Sequence, residues 1–384
     1  MSVFNSLVDQ SEVINVLQEA VKSSKNKGDQ TQAMTHAWLF TGPPGSGRSN
    51  AAIAFAAALV CKDGGCSKCV DCMSTITGSH ADVELIKTEG LSIKIDEIRD
   101  LISRASWAPS VAAWRVVVIE DADRLTDSAA NALLKVVEEP GLRTVWLLCA
   151  PTLTDVLPTI RSRCRHLSLR TPSTKAITKL LMERDSIDAS TAEFVAKASG
   201  GHIGRARRLA KDANAKENRK NIMKLPFTIK DIATAFKAAQ NLVEAAKADA
   251  LADSEAKDEL EISKLKEAWG GSGSKLAAGG SKAVKELEKE QKTRNTRLIR
   301  DNLDSAILDL VTVYRDFLIV QSNSSDQVTN KELHKKIIEK ANQTPPESII
   351  NSITSLLSVR NSLAKNAATN LTTEALLTEL AHYK

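Results

Sequence analysis

The chain has 384 residues, of which 42% are hydrophobic and 4% aromatic, a size that allows two or three domains and a composition typical of helix-rich globular proteins. The net charge of +5 permits contact with nucleic acid without requiring it. No apolar run reaches about 18 residues, and no basic stretch followed by an apolar one opens the chain, so we expect a cytoplasmic protein with no membrane partner.

The first elements lead to a phosphate-binding pattern. Residues 4–24 carry apolar side chains at helical spacing, and a polar connection follows at 23–35. Residues 37–40 are an apolar run that predicts a buried parallel strand, and residues 51–59 have helical composition. A glycine-rich loop joins this strand to this helix, which is the arrangement of a phosphate loop.

The loop at 42–49 fits the spacing G-x-x-x-x-G-K-[ST], except that arginine replaces lysine. Its candidate binding residues are Gly42, Gly45, Gly47, Arg48 and Ser49. Glycines let backbone N–H groups approach phosphate oxygens, but the planar guanidinium of arginine is not equivalent to the compact ammonium of lysine. Two interpretations stay open: a degenerate site for ATP and Mg²⁺, or a glycine-rich turn without a ligand.

Four cysteines follow directly, at Cys61, Cys66, Cys69 and Cys72, with the spacing C-x4-C-x2-C-x2-C. Four thiolates so close together, in a chain without a secretion signal, favour a structural Zn²⁺ site over disulfides. An iron–sulfur cluster and a redox pair are the alternatives. The segment has two lysines and no aromatic residue that could stack on a base, so we expect a scaffold rather than a nucleic-acid reader.

The α/β alternation then resumes with predicted strands at 83–86, 114–119 and 144–149 and predicted helices at 95–102 and 131–139. The strand at 114–119 ends in Glu120 and Asp121. Carboxylates at the carboxyl end of such a strand lie where a magnesium–phosphate site would be. The usual order of the pair is Asp then Glu, so these residues predict either a degenerate acidic pair or a solvated loop. Three alternating arginines follow, and most such runs are solvated or ion-paired: Arg161, Arg163, Arg165.

The second half of the chain is predicted to be helical. Residues 171–215 read as a small helical lid and residues 216–384 as a helical domain. Within the latter, residues 249–292 are rich in Lys, Glu, Ala and Gly, and we expect a mobile insertion with only nascent helix. From residue 296 an apolar stripe predicts a long helix: Leu303, Ile307, Leu310, Tyr314, Phe317.

Taken in order, the phosphate loop, the cysteine segment, Asn131 to Pro140 and the triplet Ser162-Arg163-Cys164 resemble the bacterial clamp-loader AAA+ family of DNA polymerase III. The resemblance covers residues 1–215 by motif and the remainder by general pattern. It implies an α/β fold: a RecA-like parallel-sheet AAA+ domain at 1–170 with a zinc-binding insertion at 61–72, a helical lid, and a C-terminal all-α collar.

The resemblance also implies roles. In the family the arginine of Ser-Arg-Cys acts across a subunit interface on ATP held by the neighbouring motor subunit, which makes Arg163 the expected trans arginine finger. The departures at Arg48 and at Glu120-Asp121, with Ala150 and Gly204 at the two sensor positions, imply a stator rather than a motor. We expect little or no intrinsic ATPase activity, and polymerase activity only in the holoenzyme.

The implied partners are motor (gamma/tau) and delta subunits in a hetero-pentameric ring, with the sliding clamp and primer-template DNA reached through the complex. The implied setting is the nucleoid-associated replisome in the cytoplasm. Two alternatives stay open: an ATP-hydrolysing motor subunit of the gamma/tau type, and a zinc-dependent nucleic-acid-binding module.

Overall fold

The computed structural model describes residues 2–25, 33–88, 92–141, 143–268, 280–324 and 328–382. Contacts divide the chain into two compact units. One comprises residues up to Thr88 together with Ser92–Ala210, and the other comprises the described residues from Lys211 onward. None of the described helices combines the length and the apolar character that crossing a membrane would require.

A five-stranded sheet forms the centre of the first unit, and every strand pairing in it is parallel. The strands lie in the order β2-β3-β4-β1-β5. Their bounds are β1 Ala37–Thr41, β2 Val83–Ile86, β3 Arg115–Ile119, β4 Thr144–Ala150 and β5 Arg165–Ser168. Strands β1, β3 and β4 are buried along their whole length, as helix-covered parallel strands must be, which explains their continuous apolar sequences.

Helices cover both faces of this sheet. They are α1 Ser11–Lys25, α2 Arg48–Val60, α3 Val70–Thr77, α4 Ile95–Ala105, α5 Asp127–Glu138 and α6 Pro158–Arg161. On one face Trp38 and Phe40 pack with Phe55 of α2, and on the other Leu39 lies in a cluster with Leu133 of α5. Successive side chains of β1 therefore pack into the hydrophobic cores on opposite faces of the sheet.

Three further helices complete the first unit: α7 Thr174–Asp185, α8 Ala189–Ala198 and α9 Ile203–Lys211, whose last residue is already counted with the second unit. Ile177 and Leu181 of α7 and Val195 of α8 are buried. This is the segment for which the sequence predicts a helical lid.

The second unit is helical. It consists of α10 Ala213–Thr228, α11 Ile232–Ala268, α12 Gly280–Gln321, α13 His334–Gln343, α14 Pro346–Ala364 and α15 Thr369–His382. The apolar stripe expected after residue 296 lies on α12, and all five of its side chains are buried in one cluster. Periodicity of this kind comes from packing one face of a helix on its neighbours.

Residues 249–292 differ from the expectation of nascent helix. Residues 249–268 continue α11 and residues 280–292 begin α12, while 269–279, with most of the expected glycines, lie outside the described residues. A polar seam joins the two helices: Arg294 pairs with Asp258 and with Glu261 at 2.6 Å, and Gln291 donates to the Asp258 carbonyl at 2.9 Å. Composition did not predict these helices, because ion pairs and continuity with the helix that carries the apolar stripe stabilise the segment in place of large apolar residues.

Candidate functional site

The glycine-rich loop has the backbone of a phosphate loop. Gly45 and Gly47 lie in the left-handed region, with φ of 87° and 86°, where side chains other than glycine are strained. Gly47 also precedes the first turn of α2, so the N-terminal N–H groups of a long helix open beside the loop. Ser49 is half-buried in this first turn.

Arg48 is engaged by its own loop. Its Nη1 donates to the carbonyl oxygen of Gly42 at 3.0 Å, and its buried Nε has no hydrogen-bond acceptor among the described residues. A planar guanidinium can reach back to a carbonyl in this way, and the same reach takes it away from the position of a point charge under phosphates. The arginine therefore changes where the positive charge of the loop lies as well as its chemistry.

His202 covers the loop, and the sequence did not indicate this contact. A Cβ built on Gly45 would lie 2.6 Å from the Cα of His202, so only glycine fits there. Burial lowers the pKa of His202, and the charges of Arg205 and Arg48 lower it further. The imidazole Nδ1 accepts a hydrogen bond from the Arg205 N–H at 3.1 Å. A neutral imidazole thus packs against the place where phosphate would approach.

The acidic residues after β3 occupy two different environments. Glu120 lies 4.0 Å from the Lys87 ammonium, whereas Asp121 is buried. Asp123, two residues further on, has a pKa raised by burial and then by the charge of Asp121, while Arg124 and Arg48 oppose the rise. Asp123 thus lies within the electrostatic influence of Asp121 and Arg48, and the alternation Asp121-x-Asp123 is the sequence signal for it.

Ala150, the position that the resemblance assigns to a polar sensor, is the last residue of β4. Ala150 pairs with Thr41, the last residue of β1 before the loop. A polar side chain there could reach a bound phosphate, but a methyl group donates nothing. Gly204, in the first turn of α9, lies beside the His202 ring and likewise carries no side chain.

Arg163 is an exposed arginine between α6 and β5. Its side chain is 40% exposed, and its Nη2 lies 2.6 Å from Oε1 of Glu138, at the end of α5. Its Nη1 donates to the carbonyl of Thr159 at 2.8 Å. The guanidinium therefore lies at the surface with its ion-pair partner in the same chain, and the Glu138 contact was not foreseen.

The four cysteines converge as their spacing predicts. Their Sγ atoms lie within 4.8 Å of one another, with Cys61 at 3.8 Å from Cys66 and 3.6 Å from Cys69. Zinc–sulfur bonds of about 2.3 Å in a tetrahedron separate the sulfurs by about 3.8 Å, so the donor set fits a metal ion such as Zn²⁺.

The local structure lowers the pKa of Cys61 and Cys66, whereas the pKa of Cys69 is raised and burial raises that of Cys72. Burial alone would raise the pKa of Cys61, but backbone N–H groups, that of Cys66 foremost, lower it to about 6. The N–H groups of Cys69 and Cys72 point at the sulfurs of Cys66 and Cys69, at 3.4 Å each. These donors stabilise negative charge on sulfur, which is the form that binds metal.

Comparison with known proteins agrees with these features. Residues 10–173 match the family described as DNA polymerase III, delta subunit. The chain is 32% identical over 215 residues to DNA polymerase III subunit delta′ of Bacillus subtilis, covering 55% of this chain and 65% of that protein. It is 31% identical over 208 residues to subunit tau of the same organism, covering 52% of this chain and 35% of that one.

Among solved structures, a DNA polymerase III gamma subunit-related protein from Thermotoga maritima is 17% identical, with a TM-score of 0.40 over 96% of this chain and 99% of that chain. The matched region spans less than two thirds of the length of both Bacillus subtilis relatives. By the family match and the two identities, the first half of this chain is similar to subunits of the DNA polymerase III clamp loader.

Proposed function

We propose that this chain is a delta′-type clamp-loader subunit: a stator that supplies Arg163 in trans to ATP on a neighbouring motor subunit while the complex loads the sliding clamp onto primed DNA. The observation that carries the proposal is a contrast between two arginines. Arg48 is bonded into its own phosphate loop, whereas Arg163 is exposed at the surface.

Several features of the site support weak or absent ATP hydrolysis by the chain itself. The loop cation is engaged by the Gly42 carbonyl, His202 packs on Gly45, and the sensor positions Ala150 and Gly204 offer no donor side chain. The order Glu120-Asp121 places both carboxylates one methylene away from the usual arrangement. Misplacement by about 1 Å already slows catalysis by about 10²-fold.

A surface arginine suits the role of a finger. A cation brought to a transferring phosphoryl group stabilises the charge of the transition state, and in the best-known cases it is worth about 10³ to 10⁵ in rate. An arginine supplied by a second subunit also makes hydrolysis depend on assembly. The Ser162-Arg163-Cys164 triplet provides such an arginine here.

The cysteine cluster is proposed to bind one structural Zn²⁺ ion through Cys61, Cys66, Cys69 and Cys72. Four thiolates fill a tetrahedral ion and leave no position for a reactant, so the metal would hold the turn between α2 and α3 and take no part in hydrolysis.

The proposed partners are motor (gamma/tau) and delta subunits in a hetero-pentameric ring, with the sliding clamp and primer-template DNA bound by the assembled complex. The helical second unit would serve as the collar of this ring, and the replisome in the cytoplasm would be its setting. Named delta′ and tau relatives support this assembly.

The test is reconstitution of the complex with variants of this chain. Arg163→Ala should abolish DNA-stimulated ATP hydrolysis by the motor subunits, whereas Arg161→Ala, two residues earlier at the end of α6, should leave it unchanged. Normal hydrolysis by the Arg163→Ala complex would remove the proposed mechanism.

One alternative has a specific observation in its favour, because tau of Bacillus subtilis matches nearly as well as delta′. An ATP-hydrolysing gamma/tau-type motor should turn over ATP when purified alone, and Arg48→Ala should abolish that turnover. Robust hydrolysis by the isolated chain would therefore replace the stator proposal with this one.

A further inference from the structure

The ion pair between Arg163 and Glu138 has a geometry that the proposed finger role does not require. Three acceptors of this same chain surround the guanidinium: Glu138 Oε1 at 2.6 Å from Nη2, and the Thr159 carbonyl and Ser162 Oγ at 2.8 and 3.3 Å from Nη1. Thr159 precedes Arg163 by one helical turn. The side chain is therefore folded back over α6 and is not extended outward.

Glu138 is also an unusual residue for the end of a helix. It is the last residue of α5, where the helix dipole disfavours negative charge, and Glu139 follows it. Arg163 supplies the cation that offsets this unfavourable position. Helix formation thus gives no reason for a carboxylate here, but the contact with Arg163 does.

The backbones on either side of the pair are held in place, while the two side chains are free to exchange partners. Val137 of α5 and Ile160 of α6 are fully buried in one apolar cluster, and Cys164 packs against it. By contrast, the side chains of Arg163 and Glu138 are 40% and 45% exposed. Exposed ion pairs are weak, so a phosphate with several negative oxygens can replace Glu138 at little cost.

We propose that Glu138 is a positioning residue that holds Arg163 folded against α6 in the free subunit and releases it to phosphate oxygens in the assembled ring. The inference rests on the proposed finger role of Arg163. It adds that the Arg163 guanidinium exchanges its counter-ion on assembly. The counter-ion is Glu138 in the free chain and a nucleotide phosphate in the complex.

The first test uses the free full-length chain and phenylglyoxal, a reagent for arginine, with mass spectrometry to follow modification of Arg163. Glu138→Gln should raise the rate at Arg163 about two- to fivefold at low ionic strength, and salt should shrink the difference because it screens the wild-type pair. Glu138→Asp, which keeps the charge, should stay closer to wild type.

Matched controls separate this effect from a change in folding. Glu139→Gln removes a neighbouring exposed carboxylate that has no ion pair within the described part of the chain, and it should not alter the rate at Arg163. Arg161 provides an internal reference in every sample. An equal rate at Arg163 in wild type and Glu138→Gln would overturn the proposal and would leave the finger role itself standing, since no partner is present.

The second test uses the reconstituted complex. The complex with Glu138→Gln should reach the same maximal rate of stimulated ATP hydrolysis as the wild-type complex. The concentration of this chain that gives half of that rate should be two- to fivefold lower. A loss of hydrolysis as large as that of Arg163→Ala would contradict the proposal, because Glu138 would then act in the complex and not before it.

Discussion

Arg48 shows how one side chain can alter a binding loop without changing its backbone. The glycines at 45 and 47 keep the φ angles that the loop needs, so the peptide still presents its N–H groups. The guanidinium, however, donates a hydrogen bond to the Gly42 carbonyl, and its charge acts to lower the pKa values of Asp123 and His202. A lysine ammonium would be a mobile point charge at the same place.

From this difference we expect Arg48→Lys to strengthen binding of ATP with Mg²⁺ about tenfold, as measured by calorimetric titration. Hydrolysis should still be absent, because Ala150 and Gly204 are unchanged. The matched control is Arg161→Lys, outside the loop. Unaltered affinity in Arg48→Lys would mean that the Gly42 contact has no bearing on nucleotide binding.

Asp82 illustrates a buried charge that organises a loop. It precedes β2, its side chain has no exposed surface, and it accepts from the N–H groups of Ser110, Val111 and Ala112 at 2.7 Å each. Burial alone would raise the pKa of Asp82, but these donors lower it to about 2. The ionised form is therefore the one that the fold stabilises.

Asp82→Asn should lower the free energy of unfolding at neutral pH by about 2 kcal/mol, measured by urea titration. Because the folded pKa lies below the unfolded value of 3.8, this stabilisation is complete above about pH 4 and is lost as the pH falls towards 2. The gap between variant and wild type should close over that range. Asp100→Asn, an exposed change on α4, should show no such dependence, and a gap independent of pH would contradict the account.

Among the elements, the cysteine segment connects helix α2 to helix α3. Cys61 follows the last residue of α2, and Cys69 is the N-cap of α3, accepting from the Cys72 N–H. The Lys25 ammonium also donates to the carbonyls of Cys61 and Lys62, at 3.0 and 2.6 Å. Loss of a metal here would loosen both helix ends together.

Purified chain should contain one Zn²⁺ ion per molecule by elemental analysis and show no visible absorption of an iron–sulfur cluster. Removal of the ion with a chelator, or Cys72→Ser, should lower Tm by several degrees, because metal binding contributes to folding. Cys164→Ser, away from the cluster, is the control. A metal-free chain with wild-type Tm would refute the structural role.

The pairing of α11 with α12 depends on a polar seam. Arg294 is nearly buried and faces Asp258 and Glu261, and its hydrogen bond to Glu261 is the main reason that the pKa of that carboxyl falls to about 2. Such an arrangement aligns two helices in one register, since a shift would separate the charges. It is also vulnerable, because removing Arg294 leaves two half-buried carboxylates without the guanidinium that they share.

Arg294→Ala should destabilise this end of the helix pair by about 3 kcal/mol. Hydrogen exchange should speed up around residues 254–261 and 284–294 and stay unchanged in α14. Lys289→Ala, an exposed change on the same helix, should have no effect. Uniform acceleration across the second unit would show that the seam is not a local feature.

At the scale of the whole molecule, the proposed division of labour separates the loop that resembles a nucleotide site from the arginine that would act elsewhere. A chain of this kind should need its partners to show any activity. The isolated protein should hydrolyse ATP at least about a hundredfold more slowly than the reconstituted complex, and primed DNA should not stimulate it. Stimulation by DNA of the lone chain would argue for the motor alternative.

Features that depend on residues close together in the sequence were predicted correctly, and features that depend on contacts between distant residues were not. Strands β1, β3 and β4, the helix after the phosphate loop and the stripe on α12 were all predicted, because apolar periodicity is a local property of the sequence. The convergence of the four cysteines was also predictable, because all four lie within a short stretch of the chain. The helices of 249–292 were missed because composition does not record which charges will meet.

Strands β1 to β4, the metal-type spacing of the four cysteines and the arginines at positions 48 and 163 can be read from the amino-acid sequence, since each is set by residue identity or by near neighbours. The contacts of Glu138 with Arg163 and of His202 with Gly45, and the influence of the Arg48 charge on Asp123, depend on the tertiary structure. These pairs join segments far apart along the chain. The parallel sheet brings them together: the loops after β1 and β3 meet at its carboxyl edge, and the residues before β4 and β5, Glu138 and Arg163 among them, meet at its amino edge.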